Sequence, residues 1–141
     1  MKPDPKTQAD VKAVVDAWFK GYCKRDAAAI MDVLGSDADC VFIGSGADER
    51  RIGPHDLKVA LEQDFSAPKA LTIQVPWLSI SVSGNVAWVA ADCICETDTK
   101  DRKVTVAARQ TMVLEKRGTE WLVVQSHFSL PSGGPVKTKG K

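Results

Sequence analysis

Several features that would assign this chain to a common class of protein are missing from its sequence. No apolar run approaches the roughly 20 residues that a membrane-spanning helix needs. The polar, proline-containing start lacks the apolar core of a signal peptide. The 19 Lys and Arg residues nearly balance the 18 Asp and Glu residues, giving a net charge of +1. We therefore expect a cytoplasmic protein with neither membrane nor nucleic-acid partners.

Metal ligands are also scarce. The chain has two histidines and four cysteines, and no two of the cysteines form a Cys-x-x-Cys pair. Because zinc sites depend on regularly spaced Cys and His ligands, we predict neither a metal site nor a cofactor. The cysteines fit small buried hydrophobic residues in a reducing compartment instead.

The sequence does contain enough apolar residues for one sizeable core. Its 141 residues are 44% hydrophobic, which fits a single domain. Both ends are polar and contain proline. We therefore expect residues 1–6 and 132–141 to be disordered and residues 7–131 to form the domain.

Helical patterns begin the domain. Apolar residues recur at spacings of three and four along the segment 11–23, which predicts a helix over 7–24. Thr7 with Asp10 resembles its capping box. Asp26 is a good N-cap for a short second helix over 27–34.

A short hairpin and a third helix follow. Residues 40–43 and 50–52 have the composition of brief strands around a glycine-containing turn. The pair Gly53-Pro54 opens a third helix that ends near residue 66, with proline in the first helical position.

The second half of the chain predicts four long strands, over 71–82, 86–96, 104–116 and 121–129. Helices first and strands afterwards indicate an α+β fold. We expect three N-terminal helices packed on a strongly curved antiparallel sheet, which forms a cone-shaped half-barrel with an internal pocket.

The last two strands carry a polar cluster among apolar residues. With a three-residue loop at 117–119, Arg109 faces His127 and Thr111 faces Gln125. Side chains two apart share a face, so all four lie on one side; a four-residue loop would separate them. Charged groups in apolar strands cost free energy unless their surroundings compensate. We interpret the cluster as the polar end of the pocket.

The order of elements resembles that of the nuclear transport factor 2-like superfamily. Within it, the ending resembles the SnoaL-like domain group: Arg109-Gln-Thr111, Leu114-Glu-Lys116 and Trp121-Leu-Val-Val-Gln-Ser-His127-Phe-Ser129-Leu-Pro131. Relatives include the association domain of calcium/calmodulin-dependent kinase II and ketosteroid isomerases. The resemblance implies a pocket enclosed by a curved sheet, and a homodimer formed through the outer faces of the sheets. It does not fix the function, because the superfamily reuses one cavity for many chemistries.

Two titratable groups are candidates for a general base. Asp92 shares a strand face with Trp88: facing inward it would be the best base, and facing outward it would be ordinary surface. His127 would serve in acid–base chemistry, or would be hydrogen-bonded within the sheet.

The ligand-binding candidates surround the predicted pocket. Arg109 would clamp an anion, or would pair with Asp92 or Glu96. Tyr22 and Phe42 would be core or pocket wall. The full set of predicted ligand-binding residues is Tyr22, Phe42, Trp88, Arg109, Gln125 and His127.

Three functions remain open at this point. The first is a homodimeric domain that binds a small, partly apolar molecule bearing a carboxylate or carbonyl. The second is a metal-independent isomerase, cyclase or hydrolase with Asp92 or His127 as base. The third is a dimerisation module without a ligand.

Overall fold

The computed structural model describes residues 1–67, 69–98 and 101–132. It shows an α+β fold with helices at the N-terminus and a curved, unclosed sheet of six strands, which confirms the predicted class. Of the segment 132–141, which was predicted to be a disordered tail, residues 133–141 lie outside the described residues. No helix in the described ranges is long and apolar enough to cross a membrane.

The first helix, α1, spans Pro5–Lys24 and begins two residues earlier than predicted. Its N-cap is Asp4, whose side chain accepts a hydrogen bond from the Thr7 backbone N–H at 2.7 Å. The predicted capping box of Thr7 with Asp10 is therefore wrong, and Asp10 pairs with Lys6 instead, at 2.8 Å. Proline favours the earlier start because its fixed φ suits the first helical turn and its missing N–H needs no partner there.

The second helix, α2, spans Ala27–Met31 and is capped by Asp26 as predicted. It ends before residue 34 because the chain joins the sheet there. Leu34 forms a parallel bridge with Val123, and the Val123 N–H donates to the Val33 carbonyl at 2.8 Å. The backbone groups that would continue the helix are thus used by a strand.

The remaining elements follow the predicted order. Strands β1 (Val41–Ile43) and β2 (Arg50–Ile52) form a hairpin, and helix α3 spans Pro54–Ser66. The long strands are β3 (Leu71–Ser83), β4 (Val86–Asp98), β5 (Lys103–Arg117) and β6 (Glu120–Ser129). Their order in the sheet is β2-β1-β6-β5-β4-β3, and only the β1–β6 pairing is parallel.

The predicted register of β5 with β6 is wrong. The turn has two residues, with Gly118 at φ 64°, so Arg117 faces Glu120. A bulge then leaves Val124 without a cross-strand partner. As a result Arg109 faces Ser129, and Thr111 faces His127. This register differs from the predicted one by two residues at these positions, so the same side chains still share a face.

The core lies between the helices and the inner face of the sheet. On this face, rows of cross-strand partners run from β3 to β6, and the side chains of each row point to the same side of the sheet. The three rows are Leu78, Ala91, Gln110 and Phe128; Ile80, Val89, Met112 and Ser126; and Val82, Ala87, Leu114 and Val123. They pack against α1 residues that include Val11, Val15 and Trp18. The inner face therefore decides what any enclosed space can contact.

All four cysteines are free, and Cys40 and Cys93 are buried. Burial raises the pKa of the Cys93 thiol to about 11, so this side chain is a neutral thiol in ordinary buffers. It packs as a small hydrophobic residue, as the sequence analysis expected.

Candidate ligand-binding cavity

A cavity of about 510 Å³ lies between the helices, the β1–β2 hairpin and the inner face of the sheet. This volume falls within the ~300–1,000 Å³ of typical small-molecule sites. Most of its wall is apolar, with contributions from Phe19, Leu57, Leu61, Ile73, Val106 and Phe128. The space is therefore suited to an organic molecule with substantial apolar surface.

Aromatic side chains form one wall of the cavity. The Trp18 ring lies 5.5 Å from that of Tyr22 and 6.4 Å from that of Phe42, measured between centroids. Tyr22 also meets Phe65 edge-on at 5.8 Å. Such packing holds the rings in fixed positions, which gives the cavity a defined shape.

Burial raises the pKa of Tyr22, and the negative charges of Asp64 and Glu49 raise it further, while Arg51 opposes them. Desolvation disfavours the phenolate, and nearby carboxylates repel it. The phenol therefore stays neutral, and its hydroxyl can both donate and accept a hydrogen bond.

Two further polar side chains lie on the enclosed part of the sheet. Gln110 on β5 and Ser126 on β6 are each only 4% exposed, and both line the cavity. They occupy adjacent rows of the inner face, opposite Phe128 and Met112 respectively. Neither side chain has a hydrogen-bond partner among the described residues.

Charged side chains line the cavity nearer the solvent. They are Glu49 and Arg51 of the β1–β2 hairpin, together with Asp64 and Lys69, which are exposed. A Glu49 carboxylate oxygen accepts a hydrogen bond from the Gly46 N–H at 2.7 Å, which fixes its position in the hairpin turn.

Arg25, in the left-handed conformation after α1, holds the end of α3 in place. Its guanidinium donates to the carbonyl of Asp64 and, at 3.4 Å, to that of Lys69, and it lies 5.1 Å from the centre of the Phe65 ring. These contacts tie the chain beside the cavity opening to α1. The shape of the opening thus depends on a residue that does not line the cavity.

The structure brings only part of the predicted site together. Tyr22 and Phe42 line the cavity, and their contact with a ligand stays a prediction. The other predicted ligand-binding residues lie on the outer face of the sheet and do not line it: Trp88, Arg109, Gln125 and His127. The proposed base Asp92 also faces outward and is exposed. Placing Trp88, Arg109, Gln125 and His127 inside the cavity was therefore wrong, whereas the sequence had left the face of Asp92 open.

The physical reason is the alternation of β5. Met112 and Leu114 are buried beneath the helices, so residues an even number of positions away face the same side. Gln110 therefore faces inward, whereas Arg109 and Thr111 face outward. The alternation in the sequence separates the two faces correctly, but the cavity lies on the apolar face and not on the polar one as predicted.

Sequence reasoning missed Gln110 and Ser126 as site residues. The available signal was a polar residue in the stripe that also carries Met112, Leu114 and Phe128. A polar group in a helix-facing stripe needs either a protein partner or a polar cavity. That criterion selects both residues without any knowledge of the register.

The outer face has its own arrangement of side chains. Asp92 and Arg109 are direct cross-strand partners, yet neither forms an ion pair within the part of the chain that is described. The alternative in which Arg109 pairs with Asp92 or Glu96 is thus not formed among the described residues, and Glu96 contacts Lys103 at 3.8 Å. Trp77, the partner of Asp92 on β3, is 52% exposed, and Trp88 is 44% exposed.

A curved sheet that encloses a cavity with helices defines the class of cone-shaped α+β domains. The SnoaL-like domain family matches residues 11–133, and the chain therefore belongs to this family. The match confirms the resemblance noted in the sequence.

Solved structures agree on the fold. An NTF2-like protein of unknown function from Pseudomonas putida KT2440 is 16% identical, with a TM-score of 0.81 over 92% of this chain and 90% of that one. A ketosteroid isomerase-like protein from Erwinia carotovora atroseptica SCRI1043 is 16% identical, with a TM-score of 0.76 over 92% and 100%.

A nuclear transport factor 2 superfamily protein from Salmonella enterica is 17% identical, with a TM-score of 0.77 over 96% of this chain and 98% of that one. No curated protein matches the sequence. Identities this low establish the fold alone.

Proposed function

We propose that this protein binds a small, largely apolar organic molecule in the cavity between its helices and its sheet. The observation that carries the proposal is a pair of buried side chains, Gln110 and Ser126, on the wall of a mostly apolar cavity. Neither has a hydrogen-bond partner within the described ranges of the chain. Leaving polar groups buried and unpaired costs free energy. A ligand that supplies their hydrogen bonds accounts for their presence.

Binding is favoured over the other two functions on specific grounds. An enzyme with Asp92 or His127 as base would need these groups beside the ligand, and both face away from the cavity. A dimerisation module without a ligand would have no use for an open cavity of about 510 Å³, because native cores are close-packed.

We further propose that the outer face of the sheet binds a second copy of this chain. Exposed Trp77 and Trp88 offer the apolar surface that such an interface buries. Asp92 and Arg109 lie side by side with opposite charges and no partner within the described chain. A two-fold axis between them would let each carboxylate meet the partner's guanidinium, since two-fold interfaces are self-complementary.

The cavity proposal is tested with two neighbouring substitutions on β6. The probe is N-phenyl-1-naphthylamine, a neutral apolar dye that fluoresces when it leaves water. Ser126→Leu places bulk inside the cavity, whereas Gln125→Leu places the same side chain on the outer face. We expect the wild type and Gln125→Leu to bind the dye and Ser126→Leu to lose most of the binding.

Thermal denaturation should show that both variants fold. Equal dye binding by Ser126→Leu and the wild type would contradict the proposed site. Loss of binding in Gln125→Leu alone would place the ligand on the outer face instead.

A further inference from the structure

The inference concerns the chemical class of the ligand and rests on the proposed binding function. Gln110 and Ser126 are each only 4% exposed, whereas the charged lining residues are exposed or half-buried, so the two lie on the more enclosed part of the cavity wall. In the described part of the chain, Arg25 Nε is the only side-chain N or O atom that is both completely inaccessible and unpartnered. The polar atoms of Gln110 and Ser126 are therefore open to the cavity rather than sealed in the core.

This more enclosed part of the wall is polar but uncharged. An amide and a hydroxyl each offer a donor and an acceptor, and the neutral phenol of Tyr22 on the cavity wall adds a third such group. The charged lining residues are Glu49, Arg51, Asp64 and Lys69, which are exposed or only half-buried. These two acids and two bases offset one another at the opening.

This distribution of charge discriminates between ligand groups. An anion at the more enclosed part would lose its hydration without gaining a cation, which is strongly unfavourable. A carbonyl or hydroxyl loses much less, and the amide and hydroxyl there can satisfy it. We infer that the cavity accepts an apolar molecule through a neutral oxygen group, such as a ketone, lactone or alcohol, held by Gln110 and Ser126.

Three probes of similar size separate the possibilities. They are 2-acetylnaphthalene with a ketone, 2-ethylnaphthalene with no polar group, and 2-naphthoate with an anion. Displacement of N-phenyl-1-naphthylamine gives their relative affinities. We expect the ketone to bind about threefold to tenfold more tightly than the hydrocarbon, the usual contribution of one buried neutral hydrogen bond. The anion should bind more weakly than the ketone.

Variants then assign this preference to the named residues. Gln110→Leu has similar volume, and we expect it to remove the advantage of the ketone while it still binds 2-ethylnaphthalene. Ser126→Ala should reduce the same advantage and keeps the test decisive if Gln110→Leu folds poorly. The matched control is Gln74→Leu, at an exposed position on β3, which should leave all three affinities unchanged.

The results distinguish this inference from the function on which it rests. If the naphthalenes bind but the ketone has no advantage, or keeps it in both variants, the assignment to Gln110 and Ser126 is wrong and the cavity function stands. Tighter binding of 2-naphthoate would also overturn the inference. If no probe binds, the proposed function fails and this inference fails with it.

Discussion

Gly21 allows α1 and α2 to approach closely. A Cβ atom at this position would lie 2.6 Å from Cγ1 of Ile30, which is completely buried. Alanine is the better helix former by about 1 kcal/mol, but overpacking a core costs about 1–3 kcal/mol. We therefore expect Gly21→Ala to lower the free energy of unfolding by about 1 kcal/mol, measured by urea denaturation.

The matched control removes the obstructing side chain. In an Ile30→Ala background, Gly21→Ala should raise the stability, because the added methyl group meets space and the helix propensity improves. If Gly21→Ala is equally destabilising in both backgrounds, the contact with Ile30 is not the cause.

Individual residues also mark the limit of what the sequence could establish. The alternation of β5 and β6 correctly grouped Arg109, Thr111, Gln125 and His127 on one face. The two-residue alternation of a strand shows which residues lie on the same side of the sheet. It does not show which side the helices cover. That choice depends on the burial of Met112 and Leu114 in the core, which is a tertiary interaction. Removing the Arg109 guanidinium from water costs free energy, and this cost favours the solvent-exposed face over a cavity.

At the scale of elements, Asp4 provides a test of how α1 is capped. The hydrogen bond from the Thr7 N–H lowers the pKa of the Asp4 carboxyl below its ordinary value of 3.8. Because the folded-state pKa lies below the unfolded one, the carboxylate stabilises the fold above the unfolded pKa. That contribution is lost as the pH falls through the folded pKa.

We expect Asp4→Asn to keep the cap but remove its pH dependence, since asparagine also accepts from the helix N-terminus. Thermal unfolding at about pH 6 and about pH 2.5 compares the two ionisation states. The melting temperature of the variant should fall less between these conditions than that of the wild type. Asp16→Asn, on the exposed side of α1, is the matched control. Identical pH profiles for wild type and Asp4→Asn would show that the charge of the Asp4 carboxylate does not contribute to stability.

Elements proved more predictable than their pairing. The predicted bounds of α3 and of the short hairpin agree closely with the structure. They follow from proline, glycine and N-cap residues, which determine the backbone conformation of only a few neighbouring positions. The β5–β6 register was not accessible in this way. The bulge at Val124 has no marker in its Val-Val context, and a polar turn can hold either two or three residues.

At the scale of the whole molecule, the proposed dimer predicts reciprocal charge pairs. In a two-fold arrangement through the outer face, Arg109 of each copy meets the carboxylate of the partner's Asp92. Arg109→Asp would place like charges opposite each other, and we expect it to raise the dimer dissociation constant by about tenfold or more. Lys58→Asp, which changes the net charge equally at an exposed position on α3, should leave the dissociation constant unchanged.

The exchange of both charges makes the test specific to this geometry. The double variant Asp92→Arg with Arg109→Asp recreates each pair with its partners reversed, so it should recover most of the dimer affinity that Arg109→Asp loses. Sedimentation velocity over a range of concentrations measures all four proteins. A wild type that stays monomeric contradicts the dimer. A double variant no better than Arg109→Asp would leave the dimer in place but show that Asp92 and Arg109 do not meet across the axis.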